Sequence, residues 1–130
     1  MKFDITCLIP SCETDGRCAV FREIVQPQVG PPLHRHTKQF EIFHVIEGTF
    51  LFQKDGEQVT LTAGGIICIE PGAVHAFKNS GDTPGTLHFE LLDAGKSEEF
   101  FHRISTEFEQ IEDIPAFFAQ YDLELLGPPL

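Results

Sequence analysis

The sequence predicts an all-β domain, a sandwich or a barrel, carrying a short helical segment at its C-terminal end. Three observations predict it. Short β-branched and aromatic segments recur through the first ninety or so residues, glycine-based turn signals separate them, and the pattern changes to helical spacing after Gly95.

The segments are Phe40 to Val45, Thr49 to Gln53, Gln58 to Thr62, Ile66 to Ile69 and Thr86 to Leu92. Between and before them stand Asp15-Gly16, Asp55-Gly56, Ala63-Gly64-Gly65, Pro71-Gly72 and Gly81-Asp82. Asp55-Gly56 predicts a tight hairpin, because both residues tolerate the positive φ such turns require. Roughly eight short strands at this spacing fit a closed or layered β architecture and not a parallel α/β sheet.

Beyond Gly95, Ser97 is expected to cap a helix, with Glu98 and Glu99 in its first turn and Phe101, Ile104 and Phe108 on one face. A second short helix is expected near Asp113, with Pro115 in its first turn and Phe117, Phe118 and Tyr121 packing inward. Gly127-Pro128-Pro129 is expected to stop regular structure. A chain of 130 residues fits a single domain, with the barrel over about 1–94 and the helical tail over about 95–130.

Composition narrows the function. Twenty acidic residues against nine basic ones give a net charge of -11, which repels phosphate backbones, so no nucleic-acid partner is expected. No apolar run reaches the ~20 residues a membrane helix needs, and the first dozen residues make a poor secretory signal. Cys7, Cys12, Cys18 and Cys68 form no CxxC pair, which argues against a zinc ribbon or a thioredoxin-type motif. They read as reduced thiols of a cytoplasmic protein, with Cys68 inside a strand; a disulfide among the first three stays open.

The chemistry lies in two segments. In the first, His34 and His36 are two apart, so on a strand they share a face, and Glu41 opens the next apolar segment. In the second, His75 follows the Pro71-Gly72 turn. Three neutral imidazoles and a carboxylate suit one divalent transition metal, Fe, Mn, Ni, Cu or Zn, and leave coordination positions open for a ligand. Alternation puts Phe43 and Val45 on the face of Glu41, and Phe77 and Asn79 on the face of His75. Phe43, Val45 and Phe77 either wall a substrate pocket or fill a narrow barrel, while Asn79 reads as structural. His44, of opposite parity to Glu41, should face away from the metal. His88 and His102 read as surface or interface residues, and Glu70 and Glu90 as solvated.

These two segments resemble the paired motifs of the cupin superfamily. The first family motif is HxH, three or four residues, Glu, six residues, Gly; here His34, His36, four residues, Glu41, six residues and Gly48 match it. The second runs Gly, five residues, Pro-x-Gly, two residues, His, three residues, Asn; Gly64, Glu70-Pro71-Gly72, His75 and Asn79 stand in that register. Fifteen residues between Gly48 and Gly64 are typical of compact single-barrel members. Two positions depart: Gln28 stands where the family has glycine, and Glu70 where it has the first proline. The whole chain is similar to small bacterial cupin-domain proteins, several of them labelled quercetin dioxygenase-like.

The resemblance implies a jelly-roll barrel (a double-stranded β-helix) with His34, His36, Glu41 and His75 as metal ligands. It implies a small-molecule ligand and pairing of barrels into a homodimer. The leading reading is a metalloenzyme such as a dioxygenase acting on an aromatic or enolic substrate, with Glu41 doubling as the catalytic proton acceptor. The alternatives are a non-catalytic module that binds a metal or small ligand, and a metal-dependent isomerase. An outward-facing Arg35 weakens the isomerase option where sugar phosphates are concerned.

Overall fold

The computed structural model describes residues 3–130 and consists of two five-stranded antiparallel sheets facing each other. The first contains β1 (Asp4–Ile9), β2 (Cys18–Val25), β4 (Phe40–Glu47), β7 (Ile66–Ile69) and β9 (Gly85–Leu92), in the order β1-β2-β9-β4-β7. The second contains β3 (Pro32–His36), β5 (Thr49–Lys54), β6 (Glu57–Thr62), β8 (His75–Asn79) and β10 (Leu123–Pro129), in the order β10-β3-β8-β5-β6. Sequential strands thus pass back and forth between sheets, the jelly-roll arrangement the motifs implied.

Alternation decides which side chains are inside. In β9, Leu87, Phe89 and Leu91 are buried while Thr86, His88 and Glu90 are partly exposed. In β2 the buried set is Ala19, Phe21, Glu23 and Val25, so one carboxyl enters an otherwise apolar row. The core between the sheets is aromatic: Phe43 lies 5.4 Å from Phe52, 5.4 Å from Phe77 and 5.5 Å from Phe89, centroid to centroid. Tilted contacts at these distances are the favoured arrangement for aromatic rings.

The turns follow their residues. Asp55 (φ 48°) and Gly56 (φ 83°) join β5 to β6 as the hairpin requires. Gln28 takes φ 64°, the left-handed conformation, at the position where the family motif carries glycine. Its backbone N–H donates to Asn79 O at 2.8 Å, which holds the loop before β3 against β8. Two residues on, Gly30 is a steric necessity, since a Cβ there would sit 1.8 Å from Phe77 O.

Two helices follow the barrel, α1 (Ser97–Thr106) and α2 (Ile114–Ala119). Ser97 does not cap α1: Lys96 holds that position without a side-chain hydrogen bond, and Ser97 is buried with an unpartnered Oγ. The helix N-terminus instead packs against the barrel, where Glu98 accepts a hydrogen bond from Ser11 N at 2.7 Å. Phe101 reaches the core, 4.8 Å from Phe21 and 5.0 Å from Phe89. Phe108 falls in a short 3-10 turn rather than on α1. Asp113 does cap α2, accepting from Ala116 N at 3.0 Å.

The largest departure is at the end of the chain. Gly127, Pro128 and Pro129 lie within β10, which pairs with β3 at the edge of the second sheet, so the tail contributes a strand to the barrel. Proline is compatible with an edge strand because a missing N–H on the open side breaks no ladder bond. The register shifts between Leu125, Gly127 and Pro129 absorb the remaining mismatch.

Candidate metal centre

His34 and His36 project from β3 to the barrel interior, two residues apart on one face. His75 opens β8 directly opposite His34, the two paired across the sheet with ring centroids 4.3 Å apart. Glu41 comes from β4 in the other sheet and reaches across the interior. All four residues are buried, and one potential ligand atom from each lies within 4.8 Å of the others. Donors on opposite sides of a metal with bonds of ~2.1 Å stand about 4 Å apart, so the cluster is near ligating dimensions.

The hydrogen bonds orient the rings. His34 Nδ1 donates to Pro32 O at 2.7 Å, and His75 Nδ1 donates to Ala73 O at 2.9 Å. Each bond fixes the tautomer and turns Nε2, with its lone pair, to the interior, which is how metal-binding histidines are commonly held. His36 Nε2 donates to Glu41 Oε1 at 2.9 Å, and its Nδ1 is buried without a partner. His75 Nε2 also faces Glu41 Oε1, at 3.3 Å.

Burial sets the protonation states. Desolvation, helped by the neighbouring His75 and His36, pushes the His34 imidazole down to about 3, so it is neutral and ready to ligate. Burial alone would raise Glu41, but the close approach of His36, which donates to it, and of His75 outweighs that, and the carboxyl is held below its ordinary range. A carboxylate and three buried imidazoles converging on one interior fit a divalent transition metal on donor chemistry alone.

A cavity opens onto this cluster. His34, His36 and Glu41 form its polar floor, and Phe43, Phe77, Phe89, Phe100, Phe101 and Phe118 are among its walls. The cavity has a volume of about 50 Å³. Phe43 and Phe77 face the cavity, whereas Val45 and His75 are buried and do not line it. Asn79, fully buried, donates to Val25 O and Thr83 O and accepts from Gly81 N, a purely structural set of bonds.

The remaining residues also have places. His44 points away from the cluster and hydrogen-bonds Glu90 at 2.9 Å, so Glu90 has a side-chain partner rather than solvent alone. Glu70 pairs with Lys54 at 3.0 Å, and Arg35 bonds Glu124 on the outer surface. The four cysteines are free, and Cys68 lies in β7.

Glu23 is the site residue that the motifs did not reveal. It is buried, lines the same cavity, and has its carboxyl raised to about 8 by desolvation, with Glu41 and Asp4 adding to the shift. A signal existed: Phe21, Glu23 and Val25 share one parity, and the two apolar members argue that Glu23 points inward with them.

Comparison with known proteins agrees with this geometry. The chain is 33% identical over 51 residues to the "Oxalate-binding protein" of Thermotoga maritima, covering 39% of this chain and 42% of that one. It is 35% identical over 107 residues to the "Probable oxidoreductase virH" of Hypocrea virens, covering 71% of this chain and 48% of that one. The chain thus spans less than half the length of these curated relatives. Among solved structures, a predicted oxalate decarboxylase of Thermotoga maritima superposes with a TM-score of 0.65 at 22% identity, over 68% of this chain and 77% of that one. The family model described as Cupin domain matches residues 21–93, more than half of the chain and both ligand-bearing segments. The chain belongs to the cupin domain family, and its buried His/His/Glu/His cluster is suited to holding a metal ion.

Proposed function

We propose that the protein is a metal-dependent oxidoreductase of the dioxygenase type, acting on a small, largely apolar molecule that carries an enol, phenol or similar oxygen. The observation that supports this reading best is the make-up of the cavity. Aromatic walls converge on three of the four candidate ligands, and no lysine or arginine lines it among the described residues. An apolar pocket with a few convergent polar groups is the usual form of a small-molecule site.

His34, His36, Glu41 and His75 would hold one metal ion. When bound, such an ion supplies Lewis acidity and, if it is redox-active, the means to activate dioxygen. The protein's own part is to orient and to desolvate. The two backbone-anchored imidazoles keep their Nε2 atoms fixed, the aromatic walls exclude water, and Phe43 and Phe77 bracket an apolar substrate. Glu41 is the ionised carboxylate at the cavity floor, and it would accept a substrate proton once a ligand at the metal displaces it from His36.

Cavity size bears on the substrate. A cavity of about 50 Å³ suits a compact substrate, a small β-diketone before a catechol. A flavonol would require Phe100, Phe101 and Phe118 to move aside. The lack of a basic wall residue counts against an isomerase of phosphorylated sugars, which would need a cationic partner for the phosphate.

The test is oxygen consumption by Fe(II)-, Mn(II)- and Ni(II)-loaded protein against β-diketones, catechols and flavonols. Uptake is expected with the smaller substrates and is expected to be lost in a His34→Ala, His36→Ala double variant. Silence across the panel from fully metal-loaded protein would favour a non-catalytic ligand-binding module, a reading that the oxalate-binding relative supports.

A further inference from the structure

Glu23 is the one acidic group of the cavity outside the four-residue cluster. It stands on β2, flanked in register by Ile5 of β1 and Leu87 of β9, so neither neighbouring strand offers it a polar partner there. The α1 residues at the same cavity are Phe100, Phe101 and Ile104, and β10 contributes Leu123. Among the described residues no side chain hydrogen-bonds the Glu23 carboxyl. Glu23 is 9% exposed, so its carboxyl is largely withdrawn from solvent, and a ligand entering the cavity would meet it without displacing a protein partner.

Resting on the reading that the cavity takes an oxygen-bearing ligand at the cluster, we propose that Glu23 is a ligand-binding residue. It donates a hydrogen bond from its carboxyl group to a second oxygen of a small apolar ligand whose first oxygen meets the metal.

Two features of the structure carry this. Among the described residues the other side chains of the cavity wall are apolar, so a ligand with a second oxygen finds its non-cluster partner in Glu23. The groups that act on Glu23 electrostatically are Asp4 from β1 and Glu41 from β4, both acidic, and His34 and His36 share the cavity. That surrounding, together with desolvation, keeps the carboxyl in its protonated, donating form near neutral pH. A neutral carboxyl favours a carbonyl, enolate or carboxylate oxygen, to which it donates, and lacks the charge that would attract an ammonium group. The ligand class that follows is a compact, largely apolar molecule with two oxygen acceptors, of which a β-diketone is the simplest probe.

The experiment titrates pentane-2,4-dione into Zn(II)-loaded protein by calorimetry, so that binding is read without turnover. Three proteins are compared: the unaltered chain, Glu23→Gln and Glu23→Leu, each with metal content and melting temperature measured first. The amide keeps a donor, so Glu23→Gln should bind within a few-fold of the unaltered chain. Loss of a hydrogen bond to an anionic oxygen should weaken Glu23→Leu by about tenfold or more. The unaltered protein should also lose affinity relative to Glu23→Gln as the pH is raised, because only Glu23 can release its proton; this comparison stands even if Glu23→Leu fails to fold.

Equal binding by a folded Glu23→Leu, or identical pH profiles for the unaltered chain and Glu23→Gln, would overturn the proposal. So would loss of zinc from Glu23→Gln, which would make Glu23 a fifth ligand. Failure of the zinc-loaded unaltered protein to bind the dione at all would sink the underlying reading of the cavity, and this assignment with it.

Discussion

His75 Nε2 lies 3.3 Å from Glu41 Oε1, while His75 Nδ1 is committed to the carbonyl of Ala73 at 2.9 Å. A neutral imidazole has one N–H, and here it is spent on the backbone. Nε2 and the carboxylate are then two lone-pair bearers facing each other in a buried space. A cation between them, either a proton on Nε2 or a metal, turns that repulsion into attraction. The anchoring of His75 is therefore the clearest local reason to expect a metal here.

Elemental analysis of unchelated protein should find close to one transition metal per chain, and the His34→Ala, His36→Ala variant should lose most of it. Metal at one hundred times its dissociation constant stabilises the fold by about 2.7 kcal/mol, on the order of 10 °C in melting temperature for a domain of this size. Unchanged metal content in the double variant would remove the site.

Glu23 predicts an unusual pH dependence of stability. Its carboxyl has an ordinary value of 4.5 and is raised to about 8 in the fold. Between those limits the native state keeps a proton that the unfolded chain has released. Stability from this group is therefore full below about 4.5, falls as pH rises, and is lost above about 8. Metal-free Glu23→Gln should lack this slope, so its melting temperature should gain on that of the unaltered protein from pH 5 to about 8. Parallel melting curves across that range would contradict it. His34, lowered to about 3, acts in the opposite sense between about 3 and 6.5, and the comparison of the two proteins cancels it.

Asn79→Ala should destabilise without touching the metal. Its side chain satisfies Val25 O, Thr83 O and Gly81 N, and all three lose their partner in the variant. About 3 kcal/mol is expected, from unpaired buried groups at about 1–3 kcal/mol each with some recovery by water. Denaturant unfolding gives the loss, and metal stoichiometry should stay at one.

Gln28→Gly should stabilise. A residue with a Cβ in the left-handed region costs roughly 1–2 kcal/mol, and the added flexibility of glycine in the unfolded chain returns part of it. Losing the exposed bond from Gln28 Nε2 to Gly81 O, 3.2 Å, adds little. A net gain of about 0.5–1 kcal/mol is expected; a destabilised variant would show that the side chain holds the loop.

The sequence by itself determined most of the barrel strands and the candidate ligand set, because both depend on local periodicity. A two-residue repeat puts His34 with His36 and Glu41 with Phe43 on one face whatever the strand later packs against. Turn chemistry worked as locally: Asp55-Gly56 formed its hairpin, and Gln28 was driven into the glycine conformation by the loop around it. Tertiary structure decided what depends on coverage. The Pro-rich tail became β10 because β3 had a free edge to receive it, a pairing that no local signal encodes. Ser97 lost the cap because the helix start is buried against the barrel. Val45 and Phe43 share a parity, yet only Phe43 meets the cavity, since depth along the barrel is a three-dimensional property. Glu23 became a buried carboxyl only because α1 lays Phe101 and Ile104 over the cavity it lines, removing the water that would otherwise have solvated it.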